Sequence, residues 1–527
     1  MRKINVLDCT LRDGGYCNQW RFGYDNIKKI IEGLMESNIN IIECGFITNL
    51  VEYDSNVTKF TCIEQFAGII PEERKENKFV AMLNYGEYDV DDLPEYNGKF
   101  IDGIRVAYHK KDVKEALELC KKIKEKGYLV FVQPMVSLSY SDEEFLAMIK
   151  QVNKFEPYAF YIVDSFGEMK KRDLIRLFHL VEHNLKTTIK IGFHSHNNLQ
   201  LAYSNAQSLI DMHSQRDLLI DSSVYGMGRG AGNLNTELLV EYLNDIVGNK
   251  YKVNPLLVII DEILNEFYQR NYWGYSLPNY LSAVHHLHPN YAECLDDKKT
   301  LTVENINSIF EMMDKNKKTT YDKEYIEQIY NKYMSIDKVH EERKVELSDR
   351  LRGKKVLLIM PGKSSVKEKE KIAKFATMDD VVTISVNFDY PYTKLDFIFL
   401  SNIRRYRELE LSLRKKSIVT SNISTEEAYL RTKYQDLLID DEAVKDNAGL
   451  MAIKFLSSFD IKSIHLAGVD GYAYDAEENY GDKSMTIIMK KSVLDAINKG
   501  MCRILKQFYS EIKIEFLTTP KYITFGE

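Results

Sequence analysis

Arg12 and Asp13 stand side by side in "LDCTLRDGG", directly after a short apolar run at the start of the chain. A cation beside a carboxylate on a glycine-bent turn costs a fold desolvation energy, and it suits a site that must manage charge. A second stretch, "IGFHSHNNLQLAYSNA", carries His194 and His196 at the end of another apolar run. In extended backbone, residues i and i+2 project to the same side, so these two imidazoles can ligate one cation. Asp13 offers a third, anionic ligand. A mixed nitrogen and oxygen set with open positions suits a divalent ion that also accepts substrate oxygens: Mn²⁺ first, with Mg²⁺, Co²⁺ or Zn²⁺ as alternatives. A third stretch, "YGMGRGAGNLN", alternates Gly226, Gly228, Gly230 and Gly232 ahead of Asn233. Its spacing is neither G-x-x-x-x-G-K-[ST] nor a clean G-x-G-x-x-G, so no nucleotide cofactor is expected from it.

Residues so far apart in sequence need elements that bring them together. Short β-branched runs recur at Ile4–Thr10, Ile41–Phe46, Phe79–Leu83, Ile101–Tyr108, Tyr128–Pro134, Phe160–Ser165, Ile189–His194 and Ile220–Tyr225. Between them lie stretches of helical period such as "YDNIKKIIEGLMES", where Ile27, Ile30, Ile31 and Leu34 share one face. Eight strands, each followed by a crossover, are the arithmetic of a (β/α)8 TIM barrel, with an open doubly wound sheet as the competing α/β reading. The unusual residues favour the barrel. Asp13, Glu43, Asn84, His109, Gln133, Asp164, His194, His196 and Asp221 sit at or just beyond carboxyl ends of these runs, and a barrel gathers such ends at one mouth. Glu43, Gln133, Asp164 and Asn233 are expected to face substrate there.

The remainder divides by pattern. Residues 1–250 would form the barrel, 251–350 a helical capping and linker region, and 351–527 a Rossmann-like α/β domain. That last domain is read from "KKVLLIMPGKSS", "VVTISVNF", "LDFIFLSN", "KSIVTSN" and "IKSIHLAGVDGY". It holds no Walker A motif, because Leu357 stands where the first glycine is required. Pro361, Gly362, Lys363 and Ser364 could still bind an anion, and Asp470 lies beyond a strand end, so a nucleotide-linked ligand is the expectation there. Hydrophobic content of 44% and charged content of 28% are globular values, and a net charge of −7 argues against nucleic acid. No apolar run approaches the ~18 residues of a membrane span. Seven scattered cysteines without a CxxC pair predict reduced thiols in a cytoplasmic protein. A homo-oligomer is expected.

"TLRDGG", "HSHNNLQLAYSNA" and "GMGRGAGN", in this order within roughly residues 1–295, resemble the signatures of the DRE-TIM metallolyases, the HMG-CoA-lyase-like superfamily. Within it the chain looks most like the 4-hydroxy-2-oxovalerate aldolase type. The resemblance implies that Asp13, His194 and His196 hold the metal. It also implies that Arg12 binds the oxygen that becomes an enolate when a C–C bond α to a carbonyl breaks or forms. A lyase or aldolase follows, using a pyruvate-like 2-oxo acid and an aldehyde. One position departs from the pattern: the family's histidine base, three residues after the metal aspartate, is here Tyr16. A phenol of pKa ~10 is a poor base at pH 7. His109 and Glu168 are further catalytic candidates, as are Tyr275 and Tyr280 in the lid-like "NYWGYSLPNYLSAVHHLHPNY". His285, His286 and His288 read as packed or surface residues, with His285 and His288 on one helix face. The alternatives are a Claisen-type acyltransferase joining acyl-CoA to a 2-oxo acid, a bifunctional enzyme with a nucleotide-sugar-related C-terminal transferase, and an inactive scaffold.

Overall fold

β1 (Ile4–Asp8) pairs in parallel with both β2 (Ile41–Ile47) and β8 (Leu218–Ser222), and this double pairing closes the first sheet into a barrel. The computed structural model describes residues 3–248, 250–298, 301–334, 341–482, 485, 489 and 491–523. Between β2 and β8 run β3 (Lys78–Asn84), β4 (Gly103–Tyr108), β5 (Leu129–Pro134), β6 (Ala159–Asp164) and β7 (Lys190–Ser195), all parallel and in chain order. A two-residue strand, Lys59–Phe60, lies against the end of β2. The crossovers are amphipathic helices. In Tyr24–Glu36, Ile27, Ile30, Ile31 and Leu34 are fully buried, each contributing about 1.5–3 kcal/mol relative to exposure. Asp142–Phe155 starts with a capping box, Ser141 accepting from the Glu144 amide and Glu144 from the Ser141 amide.

The barrel interior is layered by the two-residue period of its strands. Leu7, Ile41, Val80, Phe131, Tyr161 and Leu219 form one apolar layer. Two residues further along β2, β5 and β8 stand Glu43, Gln133 and Asp221, so the next layer toward the carboxyl ends is polar. Arg105 of β4 joins it and is 0% exposed.

The chain forms two compact units: Met1–Cys294 with Asp314–Tyr321, and Leu295–Met313 with Asp322–Glu527. The segment 251–350, expected as one capping region, is thus divided between them. The second unit is built on a parallel sheet of β9 (Lys355–Ile359), β10 (Val381–Val386), β11 (Phe397–Leu400), β12 (Ser417–Thr420), β13 (Leu430–Thr432), β14 (Ser463–Ala467) and β15 (Ile514–Phe516). Its spatial order is β13-β12-β11-β10-β9-β14-β15. Among the described residues no helix is long and apolar enough to cross a membrane, and none of the seven cysteines is in a disulfide.

Candidate metal centre at the barrel mouth

Asp13, His194 and His196 converge. One ligand atom from each lies within 4.8 Å of the others, and all three side chains are buried. Asp13 comes from the helical turn Thr10–Asp13 that follows β1, His194 from β7, and His196 from the residue just past it. The imidazole centroids are 5.2 Å apart, and His196 Nε2 is 3.7 Å from Asp13 Oδ2. Burial pushes Asp13 upward, but Arg12, His196 and His194 outweigh it and hold the carboxyl well below the usual range. Burial pulls His196 down to about 3, so its imidazole is neutral and able to ligate at pH 7.

The turn differs from the glycine-bent one expected. Gly14 has φ −59, an ordinary right-handed value, and starts a second helical turn, Gly15–Asn18. The glycines are needed for space. A Cβ on Gly14 would lie 2.3 Å from the Thr10 carbonyl, and one on Gly15 2.0 Å from the Trp20 ring. Trp20 Nε1 donates to the Arg12 carbonyl at 2.7 Å and ties the turn down.

Around the ligand group runs a chain of buried charges. Arg12 Nη1 donates to Asp13 Oδ1 at 2.5 Å and Nε to Glu43 Oε2 at 2.8 Å. Arg105 Nη1 donates to the same Glu43 oxygen at 2.8 Å, and its Nη2 donates to Asp221. Asp221 Oδ2 also meets His194 Nδ1 at 3.0 Å. An ionised carboxylate only accepts, so His194 carries its proton on Nδ1 and keeps the Nε2 lone pair for a metal. Three carboxylates face two guanidiniums along this chain, one carboxylate in excess for a divalent cation to offset. The residues fit such an ion.

The glycine loop shapes the other wall. Asn233 Nδ2 donates to Asp13 Oδ2 at 2.6 Å, and His196 and Asn233 share an antiparallel backbone bridge. A Cβ on Gly228 would stand 2.3 Å from Asn233 Nδ2 and 3.1 Å from Asp13 Oδ2. Close approach to the aspartate therefore requires glycine there.

The other expected site residues fall in several places. Glu43 turns Oε2 onto the two arginines, while its Oε1 is buried with no partner among the described residues. Gln133, with its amide oxygen facing Arg105, accepts from Nη2 at 2.8 Å and Nε at 3.2 Å. Asp164 accepts from the Glu168 and Met169 amides at 2.9 and 3.1 Å, and burial raises its pKa to about 8. His109, just past β4, is half-buried, and burial lowers its pKa. Tyr16 is 41% exposed under the Arg229 guanidinium, 5.3 Å from its ring. Desolvation raises its pKa, so nothing here turns the phenol into a base. Tyr275 and Tyr280 are 55% and 40% exposed. His285 and His288 do not share a helix face, because the helix ends at Val284 and His286 takes a left-handed φ of 57. Arg105 and Tyr161, whose hydroxyl donates to Asp221 at 3.0 Å, were not anticipated. A lone arginine inside an otherwise apolar strand run was the available signal.

A model of the HMGL-like family matches residues 103–255. The 4-hydroxy-2-oxovalerate aldolase of Geobacillus genomosp. 3 is 30% identical over 246 residues, covering 46% of this chain and 70% of that protein. The chain belongs to the HMGL-like family. A 4-hydroxy-2-oxovalerate aldolase from Pseudoalteromonas translucida is 28% identical over 250 residues, 47% of this chain and 72% of that one. The crystal structure of HMG-CoA lyase from Brucella melitensis aligns with a TM-score of 0.40 at 15% identity, covering 51% of this chain and 99% of that one. This HMGL-like protein is a metal-dependent enzyme of the aldolase and lyase class, and Asp13, His194 and His196 are a group able to hold its divalent metal.

Proposed function

We propose that the barrel makes or breaks the C3–C4 bond of a 4-hydroxy-2-oxo acid through the enolate of pyruvate, with an aldehyde as the second product. One observation carries this reading. Arg12 Nη2 is buried beside Asp13 and has no hydrogen-bond partner among the described residues. A buried guanidinium donor left unpaired is costly unless a substrate oxygen completes it. In cleavage, the 4-hydroxyl loses its proton, the C3–C4 electrons pass into the 2-oxo group, and the aldehyde departs. Protonation at C3 then yields pyruvate. Negative charge grows on the 2-oxo oxygen, where Arg12 Nη2 can donate to it. A divalent ion on Asp13, His194 and His196, Mn²⁺ in this reading, supplies Lewis-acid polarisation when bound.

The remaining roles follow from position. Asp221 fixes the His194 tautomer, Asn233 fixes Asp13, and Glu43 with Gln133 hold Arg105. His109, kept neutral by burial, is the group we assign to take the hydroxyl proton, while Tyr16 stays protonated and is not a base. Deuterium exchange into the methyl group of pyruvate, followed by NMR, tests the proposal. Exchange should require metal and fall by about 10²–10³ in Arg12→Ala. Metal-loaded protein that exchanges no member of a 2-oxo acid panel would remove the enolate assignment. Release of free CoA thiol from acyl-CoA and a 2-oxo acid would transfer it to the Claisen alternative.

A further inference from the structure

A cavity of about 220 Å³ lies in the second unit, beyond the carboxyl ends of β9 and β14. These strands are neighbours, with Ile359 opposite Ala467, yet the chain leaves them toward opposite edges of the sheet, to β10 and to β15. Such a switch in strand order opens a crevice where parallel sheets bind ligands. Two glycines press the flanking loops together beneath it. A Cβ on Gly468, at φ +73, would lie 2.0 Å from the Met360 carbonyl, and one on Gly362 would lie 2.3 Å from the Gly468 carbonyl.

Asp470 lines this cavity and is 3% exposed. Its Oδ2 accepts from the Ser364 amide at 2.7 Å, whereas Oδ1 is buried with no partner among the described residues. An unpaired buried carboxylate oxygen calls for a donor from the ligand. Asn387 and Asn402 also line the cavity. Their Oδ1 atoms accept from the Ser401 and Arg404 amides, at 3.2 and 2.9 Å, which leaves the Nδ2 ends to donate. Arg405 lines it too, with a side chain 17% exposed that also pairs with Glu408 at 3.0 Å. Tyr472 and Tyr480, packed edge to face with centroids 6.2 Å apart, supply an apolar wall with polar tips. A metal ion does not match this set: among the described residues, the barrel group alone gathers three side chains fit to hold one.

We propose that this crevice binds a phosphate ester carrying a vicinal diol. The diol donates to Asp470 Oδ1, the phosphate lies toward Arg405 and the asparagine amides, and the ring lies on the tyrosines. A sugar phosphate and a nucleoside monophosphate share this chemistry. Isothermal titration of the full-length protein with ribose 5-phosphate, the four common nucleoside 5′-monophosphates and their 2′,3′-dideoxy forms separates them. At least one diol-bearing ester should bind saturably. Its dideoxy counterpart on wild type, and the parent ester on Asp470→Asn, should each bind at least about tenfold more weakly. Arg405→Gln should weaken the ester while leaving the unphosphorylated parent unchanged. Tighter binding of a nucleotide than of ribose 5-phosphate identifies a nucleotide site, and the reverse a sugar phosphate site. Saturable binding by none of these esters overturns the proposal. So does equal affinity for diol and dideoxy forms on wild type, a comparison that stands even if Asp470→Asn fails to fold.

Discussion

Asp221→Asn isolates the link between the buried charge chain and the metal group. Asp221 receives His194 Nδ1 and Tyr161 Oη at 3.0 Å each and pairs with Arg105. Asparagine keeps the volume and one oxygen. Its NH₂ can turn only toward Tyr161, whose hydroxyl can accept, because His194 and Arg105 both present donors. The surviving oxygen then serves His194 and Arg105 together, as Oδ2 already does, so what the substitution removes is the carboxylate charge. Loss of such an orienting carboxylate typically costs 10–100-fold in metal affinity, or about 1.4–2.7 kcal/mol. Titrating metal-free protein with Mn²⁺ and following the free-ion EPR signal measures this directly. Asp13→Asn, which removes a ligand charge, should weaken binding further. A Kd for Asp221→Asn within about twofold of wild type, with Asp13→Asn strongly impaired, would refute the orienting role.

Arg12→Lys loses the planar fork that bridges Asp13 and Glu43, so pyruvate methyl exchange should fall by at least about 10²-fold, as read by NMR. Gly228→Ala drives a Cβ onto Asn233 and toward Asp13, and calorimetry should show Mn²⁺ affinity reduced by about tenfold. Adding Mn²⁺ at about one hundred times its Kd should raise unfolding stability by about 2.7 kcal/mol, and chelation should reverse the gain in thermal melts. Asp164 is raised from 3.8 to about 8, so the folded state holds a proton that the unfolded state releases. Its contribution is complete below 3.8 and is lost as pH rises through about 8; Asp164→Asn should flatten that decline in melting temperature.

Most barrel strands were legible because alternating β-branched runs are a local property. The exceptions have local causes. The last barrel run was expected at Ile220–Tyr225 but pairs over Leu218–Ser222, since Tyr225 takes a left-handed φ of 59 and cannot continue a strand. In the second unit, Leu430–Thr432 and Ile514–Phe516 escaped notice because three residues at a sheet edge are too few to show a period. The histidine cluster was misplaced on one helix because nothing in "AVHHLHP" announces the left-handed turn at His286.

By itself the sequence determined the ligand types, the i, i+2 projection of His194 and His196, and the glycines that leave room beside Asp13. Each of these depends on residues close along the chain. Barrel closure decided the rest. It set Arg105 against Glu43, 62 positions away, and Asp221, 116 positions away, and it left one nitrogen of Arg12 without a partner. Charge pairing depends on distances of a few ångströms between strands, and no local run of residues encodes which strand ends will meet.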